Sequence, residues 1–359
     1  MGVKMKAFRL LPLNMRVWLF ERKLMDRPWP YWYKENYRVL LDKAYETFLT
    51  EEDLKDKKKI RELTHDVVRC WLKYEAMPNE YFLYDMRNSD ERKRATFLTD
   101  VLKDKTCIRC LDRKTFDKEI KDKYAFYQLM KPFFGRKVFQ VNSFAEKESF
   151  VSFAMETKSL FCKLEKGSRG KGAFVAEVSG REDAERLFGQ LSENHDDEWI
   201  VEERIRQSQE MAQWNESSVN TVRLPSFLTK SGFKVLAPFF RTGRLGSVID
   251  NAGQGGVFAV IDPVSGVLIT DGVDEVGGVF PSHPDSKIQF KGWQVPKWNE
   301  LLQVAEKAHR IIPHQKYIGW DFALTDNGWR LIEGNWGQMV GQYATKKGVK
   351  DEFLGYMQD

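Results

Sequence analysis

The chain has 359 residues, 42% hydrophobic and 30% charged, with a formal net charge of +5. This length supplies an ample core and two or three domains, and the mix is that of an ordinary soluble chain. The mild basic excess suits anionic substrates such as nucleotides but is too weak to indicate nucleic acid, and no apolar run is long enough to span a membrane.

The first residues mix bases with apolar side chains, and Arg9, Pro12, Asn14 and Arg16 interrupt any signal-peptide core. A helix packed on its own domain is the expected outcome, ahead of an amphipathic segment touching a membrane. From there to about residue 120 apolar residues recur at helical spacing, notably in YRVLLDKAYETFL and IRELTHDVVRCWLKYEA. Thr50, followed by Glu51, Glu52 and Asp53, reads as a helix start, and Pro78-Asn79 as a break. The charge runs Lys55 to Lys59 and Arg87 to Arg94 read as solvated faces. Cys70, Cys107, Cys110 and Cys162 make no disulfide framework, and the single C-x-x-C lacks a second pair for zinc. Thiols in a reducing cytoplasm are expected.

After about Lys121 strand-like and glycine-rich segments alternate with short helices, which predicts an α+β or α/β domain. In SLFCKLEKGSRGKGAFVAEV, Leu160 to Leu164 reads as a strand, with Lys163 placed where an unpartnered ammonium is costly. Gly167, Ser168, Arg169, Gly170, Lys171 and Gly172 follow. Glycines let backbone N–H groups close on phosphate oxygens; the plainer reading is a hairpin with a flexible tip. Arg181 to Glu193 reads as a helix and Trp199 to Ile205 as a strand whose main chain can meet a base edge, with Gln207 or Glu210 in reach of a ribose. SSVNTVRLPSF predicts a strand carrying Asn220 and Arg223; an arginine fork suits phosphate or carboxylate, with a surface salt bridge as the alternative. Asp250 to Gly256 is a polar glycine-rich turn. His283 lies in an irregular loop, where a lone histidine is more often structural. Trp298 to Ile312 reads as an amphipathic helix.

Ile318 to Asn335, IGWDFALTDNGWRLIEGN, reads as a hairpin turning at Asn-Gly. Asp321 lies in its first strand, Glu333 and Asn335 on one face of its second. Two carboxylates facing each other in apolar strands repel unless a cation sits between, and an all-oxygen set suits Mg²⁺; the alternative is a surface hairpin whose acids are solvated.

In order, Asp122-Lys123, Lys163 with GSRGKG, VEERI, SVNTVRL, DNAGQGG, HPDS and IGWDF…LIEGN resemble the ATP-grasp superfamily, and within it the sugar-transfer-associated group. The resemblance covers about residues 121–342 and touches NEYFLYDM. It implies an ATP-grasp fold, two α+β subdomains clasping ATP, preceded by a helical region over residues 1–120. The grasp domain would run over 121–345, with a lid at about 135–205 and a core at 206–345, and residues 346–359 would form a C-terminal tail. It further implies ATP and Mg²⁺ as cofactors. Lys123, Lys163 and the Gly167–Gly172 loop would contact the nucleotide, Glu202, Glu203 and Ile205 the adenine edge, and Glu210 the ribose. Asp321, Glu333 and Asn335 would hold the metal, and Arg223 the transferred group. Asn220, Asp250, Asn251 and His283 are weaker catalytic or substrate candidates. The implied activity is a carboxylate–amine (or thiol) ligase acting through an acyl phosphate on a small-molecule or peptide substrate, in surface polysaccharide or peptide biosynthesis. A homodimer is left open. The rivals are a kinase with a hydroxyl acceptor and a non-catalytic nucleotide-binding module; the full Mg²⁺ set argues against the latter.

Overall fold

Apolar residues at helical spacing give the early part of the chain its form. A computed structural model describes residues 8–27, 35–167, 172–194, 196–246, 255–337 and 339–359. The chain divides into two units, the first comprising residues 1–109, 275–278 and 338–355, the second 110–274, 279–337 and 356–359.

The first unit is helical. Its helices include Leu13–Lys23, Tyr37–Phe48, Lys57–Tyr74 and Pro78–Leu83. Thr50 caps a short helix through a reciprocal pair with Asp53: each side chain accepts from the other's backbone N–H, at 3.1 and 3.3 Å. Asp56 caps Lys57–Tyr74 by accepting from Lys58 and Lys59. Pro78 starts the next helix at its first turn, where a missing N–H costs nothing. The helix Leu13–Lys23 buries Val17 and Phe20, so it packs within its own unit. One expectation is corrected. The run Arg87 to Arg94 is not wholly a solvated face: Arg94 is buried, with both Nη atoms 2.7 Å from Asp66 and Nε donating to the Met86 carbonyl. A charge enters the interior because a fixed partner waits there. Residues 346–359 contain the helix Lys350–Gln358, with Phe353 and Met357 buried.

The second unit holds two antiparallel sheets. The smaller has β1 (Val138–Val141), β2 (Ser159–Leu164), β3 (Phe174–Glu177) and β4 (Trp199–Glu203) in the order β1-β4-β2-β3. Helices α1 (Lys147–Thr157) and α2 (Arg181–Leu191) supply Phe150, Val151, Ala154, Ala184, Leu187 and Leu191 to one core with Leu160, Cys162 and Val201. Alternation along β2 sends Leu160 and Cys162 into that core and Phe161 and Lys163 to the opposite face.

The larger sheet contains β5 (Thr221–Thr229), β6 (Gly232–Val235), β7 (Phe239–Thr242), β8 (Val257–Val260), β9 (Gly272–Val273), β10 (Val279–Phe280), β11 (Tyr317–Thr325) and β12 (Gly328–Asn335). Their order is β10-β9-β8-β7-β5-β11-β12, with β6 also on β5. Pro225 sits inside β5, where a proline normally breaks the ladder. It falls where pairing passes from β7, at Arg223↔Phe239, to β6, at Ser226↔Val235. There the carbonyl of Pro225 accepts from Leu236 at 3.0 Å, so only an acceptor is needed on that side. Helix α3 (Trp298–His309) buries Trp298, Leu301, Ala305 and Ala308 in the core of this unit, which includes Trp320, Phe322 and Leu331.

No helix among the described residues is long and apolar enough to cross a membrane.

Candidate active site

The hairpin β11–β12 pairs Asp321 directly with Glu333, and the neighbouring strand β5 pairs Arg223 with Asp321. Residues opposite each other across an antiparallel pair share a face, so three charges meet on one patch of sheet. The register shifts just after Asp321, leaving Ile332 as the extra residue of a bulge. Asp321 is 1% exposed. Arg223 grips it through Nε and through Nη2 at 2.7 Å, while Nη1 donates to Asn335 Oδ1 at 3.1 Å. Arg241 on β7 approaches the same carboxylate at 2.9 Å, its Nε donating to Thr221 Oγ1 at 2.9 Å. Burial opposes the charge on Asp321, but Arg223 and Arg241 outweigh it and hold its pKa below the ordinary value. Glu333 goes the other way: burial and then the Asp321 charge push its pKa up.

Across the cavity stands a second charged cluster. Glu202 is buried and bridges Lys163, at 2.5 Å, and Arg136, at 2.7 Å. Burial works against its carboxylate, yet Arg136 and Lys163 bring its pKa down to about 2. The Lys123 ammonium donates to the carbonyls of Glu165 and Gly167, the latter at 3.1 Å, and its backbone N–H donates to the Glu165 carboxylate at 2.5 Å. Burial lowers the pKa of Lys123 and raises that of Glu165.

Both clusters open on one cavity of about 620 Å³, lined by the smaller sheet on one side and by Arg241, Asp321, Ile332 and Glu333 on the other. Phe161, Leu164, Val175 and Ile205 give it apolar walls. Its size and its mixture of apolar walls with a few convergent charges are those of a small-molecule site.

The expected site residues divide as follows. Lys123, Lys163, Gly167, Glu202, Glu203, Ile205, Asp321 and Glu333 all line this cavity. Asn335 stands beside Glu333, its amide nitrogen 3.4 Å from Glu333 Oε1. Gly172 adopts φ +76°, the left-handed region that glycine tolerates. Ser168, Arg169, Gly170, Lys171, Asp250 and Asn251 lie outside the described residues. Four expected residues stand elsewhere than on the cavity wall. Arg223 is buried behind Asp321 and does not line the cavity; Arg241 does. Asn220 is fully buried, and its amide donates to Gln207 Oε1 and to the carbonyls of Met211 and Asn215 at 2.8–2.9 Å. Gln207 in turn donates to the Asn215 and Ser218 carbonyls. Together they fix the loop that forms the cavity wall, a structural duty. Glu210 is an exposed first-turn residue of the short helix Gln209–Ala212, and Glu216 reaches the cavity instead. His283 is buried; its Nε2 donates to the Gly243 carbonyl at 2.9 Å and its Nδ1 accepts from Ser286 at 3.1 Å, so it ties a loop.

Arg241, Arg136 and Glu216 escaped sequence reasoning. An arginine after two phenylalanines in PFFRTG was the one available signal for Arg241.

The donors suit a hard divalent cation in kind: two carboxylates and an amide oxygen gathered on one face. Burial, and then the facing Asp321 charge, raise the pKa of Glu333, and a cation would offset both. Asp321 and Asn335 already serve Arg223, so they would share their oxygens with it. Among the described residues no group of three His, Cys, Asp or Glu side chains could hold a metal.

The model of one family, described as sugar-transfer associated ATP-grasp, matches residues 109–354. No curated protein sequence matches the chain. Similar solved structures include a D-alanine-D-alanine ligase from Coxiella burnetii, at 11% identity and TM-score 0.37 over 60% of this chain and 48% of that one. A D-alanine–D-alanine ligase from Bacillus anthracis complexed with ATP has 11% identity and TM-score 0.37, over 67% and 62%. The ATP-grasp ligase PsnB complexed with minimal precursor, Mg and ADP has 10% identity and TM-score 0.36, over 87% and 76%. The chain thus spans about half the length of the Coxiella ligase and under two thirds of the Bacillus one.

Proposed function

This chain belongs to the sugar-transfer associated ATP-grasp family, and from that premise we propose that it is an ATP-dependent ligase joining a carboxylate to an amine. The observation that carries the reading is that Lys163 and the Asp321–Glu333 pair open on the same cavity from opposite walls. Adenine would lie between the apolar walls with its edge on the main chain of Glu203 to Ile205, and Glu216 would be in reach of the ribose. Lys123 and Lys163 would bind the phosphates. Asp321, Glu333 and Asn335 would hold Mg²⁺, which supplies charge neutralisation at the terminal phosphates.

Arg241, the arginine that faces the cavity, would steady the γ-phosphoryl group and the incoming carboxylate. Arg223 sits behind Asp321 and fixes that carboxylate's orientation. A carboxylate oxygen of the acid attacks the γ-phosphorus and ADP leaves. An amine nitrogen then attacks the acyl carbon, the amide bond forms, inorganic phosphate departs, and the nitrogen loses its extra proton to solvent. The chain's own work is positioning and charge complementarity rather than covalent participation.

The test is to incubate the protein with ATP, Mg²⁺ and mixtures of acids and amines, following phosphate release and product mass together. ADP and free phosphate that appear only with both acid and amine support the ligase. A product heavier by one phosphoryl group, without free phosphate, would replace it with a kinase.

A further inference from the structure

Arg136 is 4% exposed at its side chain, and its guanidinium is held from two sheets. Nε and Nη2 lie 2.8 and 2.7 Å from Glu202 Oε2 on β4 of the smaller sheet. Nη1 donates to the carbonyl of Leu331 on β12 of the larger sheet at 2.7 Å, and to that of Phe134 at 3.3 Å. The guanidinium also lies over the Phe134 ring, 4.3 Å from its centroid. The other oxygen of Glu202 holds Lys163. Leu331 is two residues before Glu333. One continuous chain of charge-assisted bonds therefore runs from the strand carrying Glu333, through Arg136 and Glu202, to the ammonium that faces the cavity. The preceding Gly135, at φ +58°, turns the backbone where a Cβ would meet the Arg330 side chain at 2.3 Å.

We propose that Arg136 is a positioning residue: it acts through Glu202 to set where Lys163 stands relative to the strand bearing Glu333, and so sets nucleotide affinity without touching the nucleotide. This rests on the reading of the cavity as an ATP site. Arg136 is buried and absent from the cavity lining, whereas Glu202 lines the cavity and has an oxygen on each partner. Loss of Arg136 leaves Glu202 with Lys163 alone, which draws the ammonium back toward its buried counter-charge.

The experiment is a double-mutant cycle on the full chain, measuring ADP binding by calorimetry with and without Mg²⁺. Lys163→Met tests the underlying reading: if ADP affinity does not change, the cavity is not the nucleotide site, whatever Arg136 does. If Lys163→Met weakens ADP, Arg136→Met should also weaken it, roughly tenfold or more. In the Lys163→Met background the same change should then cost less than about twofold, since its route to the nucleotide is gone. Arg136→Lys, which keeps one charge but not the fork, should fall between the two and carries the test if the methionine variant does not fold. Additive losses in the two variants, or wild-type ADP affinity in folded Arg136→Met or Arg136→Lys, would overturn the proposal.

Discussion

Arg223 holds Asp321 with two arms of one guanidinium, although 98 residues separate them in the chain. The pair is formed by strand register, Asp321↔Arg223 across β11 and β5, and it determines what each carboxylate of the hairpin does. Asp321 carries its charge at low cost; Glu333, opposite, bears the strain of being second.

That asymmetry predicts opposite stability effects for two substitutions that both remove a metal oxygen charge. Asp321→Asn leaves the buried Arg223 and the cavity-facing Arg241 without their counter-charge and should destabilise the protein by about 3 kcal/mol. Glu333→Gln relieves repulsion and should leave the metal-free melting temperature unchanged or higher. Turnover should be lost in both. Calorimetric melts in EDTA check the pair; a Glu333→Gln melting point well below wild type would sink the asymmetry.

Arg241 and Arg223 should separate kinetically. Arg241→Ala should lower kcat by roughly a hundredfold or more, as expected on removing a donor aimed at transferred charge, with a small effect on ADP affinity. Arg223→Ala should instead lower the melting temperature along with activity. Steady-state kinetics beside thermal melts decide this, and equal melting losses in both would argue that Arg241 is only a scaffold.

Gly337 lies against the Arg223 guanidinium. A Cβ there would come within 2.1 Å of Arg223 Nη1 and 2.6 Å of Asn335 Oδ1. Gly337→Ala should therefore displace Asn335 and weaken Mg²⁺ binding, with a stability loss of about 1–3 kcal/mol from overpacking. Mg²⁺ titration by calorimetry reads it; an unchanged Mg²⁺ affinity would remove Asn335 from the metal set.

His309 sets a pH dependence. It is fully buried in a relay: Trp320 Nε1 donates to Ser226 Oγ, Ser226 to His309 Nδ1, and His309 Nε2 to the Gln315 carbonyl. Burial lowers its pKa to about 4. A base whose folded pKa is depressed contributes stability above its unfolded pKa and loses it as pH falls through the folded value. Stability should decline between the ordinary histidine pKa and about pH 4, by about 3 kcal/mol in all. His309→Gln should flatten that part of the profile. A wild-type stability curve that stays level across this window would contradict the relay.

The sequence by itself determined the local elements and the chemistry they could carry. The turn at Asn327-Gly328, the acids in apolar strands and the alternation that separates Lys163 from Cys162 depend on residues close together in the chain, so pattern and propensity suffice. The Thr50 cap was legible for the same reason. Only the tertiary structure decided which arginine faces the cavity: the register puts Arg223, Arg241 and Asp321 on one face of the sheet, where Asp321 and Asn335 close in Arg223 while Arg241 reaches the cavity. Asn220 looked like a site residue until Gln207, Met211 and Asn215 took up its amide nitrogen, and Arg136 looked like nothing until Glu202 and Leu331 converged on it. The partners of Arg136 lie 66 and 195 residues away and those of Asn220 only 5 to 13, yet in both cases a polar side chain's role follows from what it meets when buried, which no local spacing encodes.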